Sequence, residues 1–218
     1  MISKILQVYA RPDFPTLLRE HIVLSVTALL IAIAIALPVA LMIRNTRVGA
    51  AIAINIGNIG RAVPSLAILA LALPLFGIGF LTALVALTAL AIPPILINAS
   101  TGLREVDKGV IDAARGMGLS GNQILTGIQL PIAAPVIFAG IRTSAVQTVA
   151  SATLATFIGA GGLGDLIVEG FQRRGPEILL AGAFSVALLA ITTEIGFGLM
   201  ERAITPKGLK IAQKRRGK

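Results

Sequence analysis

The chain has 218 residues, 56% of them hydrophobic and only 13% charged, with a mean hydropathy of +0.90. Those values exclude an ordinary soluble domain and predict an integral membrane protein. The formal net charge is +9, yet there is no Trp, one Tyr and eight scattered Phe, so no basic face interleaved with stacking rings supports nucleic-acid binding.

Residues 1–20 carry polar and charged side chains as far as Glu20, and no small-residue cleavage site clearly follows the first apolar run. A cleaved signal peptide is therefore not expected. Residues 2–9 are too short to cross a bilayer and precede Pro12 and Pro15; an interfacial helix and a frayed end fit them equally well.

A spanning helix needs roughly 20 apolar residues, and 22–43 supplies the first such run without a charge. His21 stands at its edge and reads as a boundary side chain. Residues 48–76 form a second run, interrupted by Arg61 and Pro64, and 81–103 a third, which Pro93 and Pro94 should kink. After a polar stretch, 104–131, come a fourth run (133–158) and a fifth (178–200), separated by the glycine-rich segment 159–176. The predicted fold class is thus all-α integral membrane with about five transmembrane helices, or six if the second run divides. Residues 1–20 precede this domain (21–201), and a basic tail, 202–218, follows it.

Arg44 and Arg47, then Arg104, Lys108 and Arg115, and finally the tail gather the positive charge. The positive-inside rule assigns these segments to the cytoplasm, with the N-terminus outside and the C-terminus inside. That orientation requires an odd number of spans.

Within the polar stretch, Asp112 reads as lying near a helix start, where a carboxylate complements exposed N–H groups. Ala113 and Ala114 keep that helix slim, Gly116 and Gly118 thin or interrupt it, Ser120 caps a second short helix over 121–129, and Pro131 ends the element. The residue types alone fit a plain cytoplasmic connector as well as a docking element.

The spacing Asp112-Ala113-Ala114, three residues, Gly118, nine residues, Ile128, one residue, Leu130-Pro131 resembles the "EAA" loop of bacterial ABC-importer permeases, with Asp in place of the usual Glu. In that family the loop is a coupling helix that fits a groove in the ATP-hydrolysing subunit, and the resemblance implies this role for Asp112, Ala113, Ala114, Gly118, Ile128, Leu130 and Pro131. It extends over residues 17–200. RAVPSLAILALALPLFGIG from Arg61, IPPILINASTGLREVD from Ile92 and AGIRTSAVQTVASATLATFIGAGGLGDLI from Ala139 are similar to permeases of osmoprotectant importers, which move glycine betaine, choline, carnitine or proline. Methionine-importer permeases share the plan.

The resemblance implies a type I permease fold in the bacterial inner membrane. It also implies cytoplasmic ABC ATPase subunits holding ATP and Mg, a second permease chain, identical or homologous, and an extracytoplasmic binding protein. No catalytic residue, metal or cofactor is expected in this chain itself, and a fused binding domain is not expected at this length. The sequence contains no G-x-x-x-x-G-K-[ST] phosphate loop, which assigns ATP hydrolysis to another chain.

Ionisable residues inside spans cost roughly 2.5–3.5 kcal/mol each on insertion, so Arg61, Arg142 and Glu194 require partners or water. Arg61 with Pro64 suits a broken helix in a pathway, Arg142 a snorkelled end, and Glu194 an ion pair across the bundle. An interhelical ion pair or a snorkelled end is the plainer account of each. Asn98, Thr143 and Gln147 suit a polar route, although interhelical hydrogen bonding explains them more simply.

GAGGLG at 159–164 satisfies G-x-G-x-x-G, but its flanks are membrane-length apolar runs and not a βαβ unit. Gly159, Gly161, Gly162 and Gly164 read as a re-entrant or membrane-edge turn; the family likeness puts it near the outer mouth, where a loaded binding protein docks, although a purely structural turn is the plainer account. No aromatic cage for a quaternary ammonium is visible, so substrate recognition is expected in a separate protein. A self-sufficient secondary transporter would show inverted repeats and an acid-base relay, and a membrane enzyme would show paired carboxylates or an activated nucleophile.

Overall fold

The computed structural model describes residues 1–44 and 46–204. The basic tail expected from residue 202 therefore lies outside the described residues from 205 onward.

A short helix α1 (Ile2–Tyr9) leads into α2 (Phe14–Ile43), followed by α3 (Arg47–Ala62), α4 (Ser65–Phe76) and α5 (Phe80–Arg104). The polar stretch forms α6 (Lys108–Gly116) and α7 (Gly121–Ile124); a π turn (Leu125–Gln129) then runs into α8 (Leu130–Ala152). A 3-10 segment (Thr153–Ile158), α9 (Gly164–Gln172) and α10 (Pro176–Ile204) complete the chain, and no strand occurs among the described residues.

Helix α5 is the central post. Its most apolar window is 61% buried, against 28% for α2 and 11% for the peripheral α10. One side of α5 receives α2, whose Ala28, Ala32, Ala36 and Ala40 are all fully buried. Their four-residue spacing makes a smooth stripe that lets two backbones approach, the main source of helix association where lipid supplies no hydrophobic drive. The other side receives α8 at Gly140, where an added Cβ would lie 2.9 Å from the Pro94 carbonyl oxygen. Close by, the Ser144 hydroxyl donates to the Ala91 carbonyl at 2.8 Å, tying α8 to the segment of α5 that carries Pro93 and Pro94. Helix α5 continues through both prolines as one element.

Among the described residues, four helices are long and apolar enough to cross a membrane, and a fifth span results if α3 and α4 count as one. That pair bends by 95°. Pro64 has no N–H to donate and excludes helical geometry at Val63, which is extended (φ −74°, ψ 126°). Taken as one span, the run 48–76 is thus broken at Pro64.

Three local expectations are corrected. Helix α6 begins at Lys108 with Asp107 as its cap, accepting from the Gly109 N–H at 2.6 Å; Asp112 lies mid-helix, exposed, 3.4 Å from Arg115. Pro131 does not end the element. The π turn before it sends the Leu130 N–H back five residues to Leu125 and absorbs the proline in the first turn of α8, so the polar stretch passes directly into the next span. His21 is 1% exposed and not a boundary residue: its Nε2 is 2.9 Å from the Val149 carbonyl oxygen, and α2 starts at Phe14, eight residues before the apolar run.

At the N-terminus, α1 is a helix packed on α10. Val8 is buried, Tyr9 donates to the Ala181 carbonyl at 3.3 Å, and its ring meets Phe14 edge-on at 5.1 Å. Arg11 bridges to Glu169 of α9 at 3.1 Å and to Asp13 at 2.8 Å. The Asp13 hydrogen bond, against partial desolvation and with help from Glu169, raises the Arg11 pKa above its ordinary value.

Candidate functional site

The polar sites lie at opposite ends of α5. At the end marked by Arg104, α6 and α7 form a compact helix-turn-helix. Helix α6 closes at Gly118, whose φ of +83° is a left-handed position suited to glycine; the Gly118 and Leu119 N–H groups return to the Arg115 and Ala114 carbonyls. Ser120 then opens α7 with a reciprocal capping box. Its hydroxyl accepts from the Gln123 N–H at 3.4 Å, and its own N–H donates to Gln123 Oε1 at 2.8 Å.

The sequence-predicted coupling residues divide by exposure. Asp112, Ala113, Gly118 and Pro131 face outward, Ile128 and Leu130 are half-buried, and Ala114 is 1% exposed. Ala114 thus lies on the inner side of α6, while Ala113 belongs to its outer surface. Helical spacing aligns Ala113 with Val110 and Met117, which are 44% and 73% exposed. Sequence reasoning passed over these two; the signal was the apolar i, i+3, i+7 pattern on a short polar helix. Beneath α6 lies a cavity of about 590 Å³ edged by Arg44, Arg104, Lys108 and Arg115.

At the other end, the glycine-rich turn folds back over the start of α2. Gly159, Gly161 and Gly162 have φ of +69°, +74° and +99°. The Gly162 N–H donates to Glu20 at 3.1 Å, while Thr156 hydrogen-bonds Asp165 across the turn. At Gly164 an added Cβ would lie 2.2 Å from the Thr153 carbonyl oxygen. The turn is joined to the start of α5 through the Gly79 N–H, which donates to the Ile158 carbonyl at 2.8 Å. Glu20, Asp13 and Asp165 edge a cavity of about 420 Å³ beside it. A 3-10 segment, not a strand, precedes the glycines, so the dinucleotide reading has no structural basis.

Of the in-span polar residues, Arg142 of α8 pairs with Glu194 and Glu201 of α10, the latter at 3.0 Å. Asn98 and Thr143 do not link helices: they donate to Pro94 and Ala139 within their own helices, at 2.8 and 2.9 Å. Gln147 is half-buried on α8. Arg61 and Pro64 stand exposed at the α3–α4 break, apart from both ends.

The family model described as "Binding-protein-dependent transport system inner membrane component" matches residues 28–206. The chain belongs to that family. It is 41% identical over 194 residues, 89% of each chain, to the carnitine transport permease protein OpuCB of Listeria monocytogenes. It is also 41% identical over 191 residues, 88% of each chain, to the choline transport system permease protein OpuBB of Bacillus subtilis (strain 168). In fold it matches a chain of the MetNI methionine ABC transporter in an inward-facing conformation, with a TM-score of 0.77 at 24% identity over 88% of this chain and 96% of that one. This inner membrane component therefore has the type I importer permease fold that its sequence pattern implied.

Proposed function

We propose that the chain is the membrane permease of an ATP-driven importer of osmoprotectants such as glycine betaine, choline or carnitine. The observation that carries this is the 41% identity, across nearly nine-tenths of each chain, to permeases named for carnitine and choline transport. The likeness to the methionine transporter is one of fold alone.

In this reading two copies, or this chain and a homologue, enclose the path. A separate cytoplasmic ATPase, holding ATP and Mg, docks on α6 through Val110, Ala113 and Met117, with Asp112 at the rim and Gly118 and Ala114 fixing the helix. Ile128, Leu130 and Pro131 carry the movement into α8. The cationic end, with Arg44, Arg104, Lys108 and Arg115, faces the cytoplasm and the N-terminus lies outside. A loaded binding protein docks at the glycine turn held by Glu20. ATP-bound ATPases favour one permease conformation over the other and shift the population toward it.

The test is uptake by the complex reconstituted with its ATPase and binding protein, screened across glycine betaine, choline, carnitine, proline and methionine. ATP-dependent uptake of at least one of the first three is expected. Transport by the chain without an ATPase, or uptake of methionine alone, would overturn the reading.

A further inference from the structure

The broken span presents three chemically distinct faces. Ala53, Gly57 and Gly60 of α3 turn toward α5: Ala53 is buried, a Cβ on Gly57 would lie 2.9 Å from Ile97, and one on Gly60 would lie 3.3 Å from Pro93. Ile52, Ile56 and Ile59 form an exposed apolar face. Between these runs a third face, Asn55, Asn58 and Arg61, at three-residue spacing and exposed throughout.

Depth gives this polar face its meaning. Helix α5 rises about 37 Å over its length and Pro93 lies about 20 Å from its start, so Gly60, packed on Pro93, stands level with the middle of this spanning helix. Arg61 is the next residue. It makes no hydrogen bond or ion pair with any described residue, unlike Arg142, which has two carboxylate partners. An arginine in the middle of a span with neither counter-charge nor burial within its own chain suits the watery path that two permease chains enclose, because hydrocarbon cannot solvate it and the end of the span is too far for snorkelling. Asn58 and Asn55 continue the polar line about 4.5 and 9 Å further along α3.

We propose that Asn55, Asn58 and Arg61 form a ladder in the translocation path that recognises the carboxylate of a zwitterionic cargo. This rests on the importer reading above and deepens it. A fixed guanidinium without a counter-charge attracts a carboxylate and repels a trimethylammonium group, so glycine betaine and carnitine pass with the carboxylate toward Arg61. Choline has no carboxylate and gains nothing there. The asparagine amides offer donors to the carboxylate as it moves off Arg61.

The absence of cysteine in the chain makes a direct test available. In the reconstituted complex, Asn58→Cys is treated with a sulfonate-bearing and a trimethylammonium-bearing methanethiosulfonate, and modification of this chain is followed by mass. The anionic reagent is expected to react at least fivefold faster, relative to a free thiol, and Arg61→Gln should collapse that preference. Glycine betaine uptake should fall at least tenfold in Arg61→Gln and be partly restored in Arg61→Lys. No modification by either reagent, a preference unchanged by Arg61→Gln, or full glycine betaine uptake in that variant overturns the ladder while leaving the importer reading intact. A wild-type complex that imports none of the osmoprotectants overturns the importer reading itself, and the ladder with it.

Discussion

The two ends of α5 are built by opposite strategies. The α6–α7 element is shaped by neighbours in sequence: Asp107 caps Gly109, Ser120 and Gln123 cap each other, and Gly118 turns the chain between them. The glycine turn is tied to a partner 142 positions away, Glu20 on Gly162, and Gly162 packs against the side chain of His21, equally remote in sequence. A locally folded element keeps its shape when the rest of the bundle moves, as a docking surface must. A turn held by distant side chains is remade whenever the helices carrying them shift, which suits a gate.

The largest expected effect is at the long-range end. Gly164→Ala places a Cβ against the Thr153 carbonyl oxygen and should destabilise the chain by about 3 kcal/mol, read as a lowered unfolding midpoint in detergent. An unchanged midpoint would mean that the turn yields easily and that the contrast between the ends is false. Met117→Asp comes next: it adds a charge to an exposed apolar face and should weaken ATPase association about tenfold, or about 1.4 kcal/mol, with the midpoint unmoved. Equal losses in both measurements would show that Met117 supports the fold and not docking.

Gly118→Ala forces a side chain into the left-handed region and should cost about 1 kcal/mol, confined to the α6–α7 element and visible as faster amide exchange there but not at the glycine turn. Glu20→Gln is the mildest, at less than about 1 kcal/mol because Glu20 is exposed and an acceptor remains. Its signature is about a twofold rise in ATP turnover without binding protein, as the turn loosens from α2. Turnover that still depends fully on binding protein would remove Glu20 from the gate.

The same contrast decides what was legible in the sequence. Spans with few charges, the Ser120 cap and the break at Pro64 depend on residues a few positions apart, and periodicity or turn chemistry exposes them. The true cap of α6 escaped because Asp107 and Asp112 are both carboxylates in one polar stretch, and only the Gly109 N–H, which donates to Asp107, chooses between them. Burial of His21 was illegible, since it depends on Val149 and Gly162, which the sequence separates from it by more than 100 residues. Glu194 was correctly expected to neutralise an arginine across the bundle, because an acid in a span has few alternatives, but the second carboxylate, Glu201, sits where a helix end would ordinarily be solvated. Pro131 misled because proline usually ends helices and a π turn leaves no sequence signature.

That π turn makes 121–158 one continuous 38-residue helical segment, with a contour length of about 55 Å. It acts as a lever arm: one end is the capped turn at Ser120, the other meets the glycine turn at Gly159. Each degree of tilt imposed at the first end displaces the second by up to about 1 Å, so a rocking motion of a few degrees at the α6–α7 end is mechanically sufficient to pull Ile158 away from Gly79 and break the backbone bond that joins them.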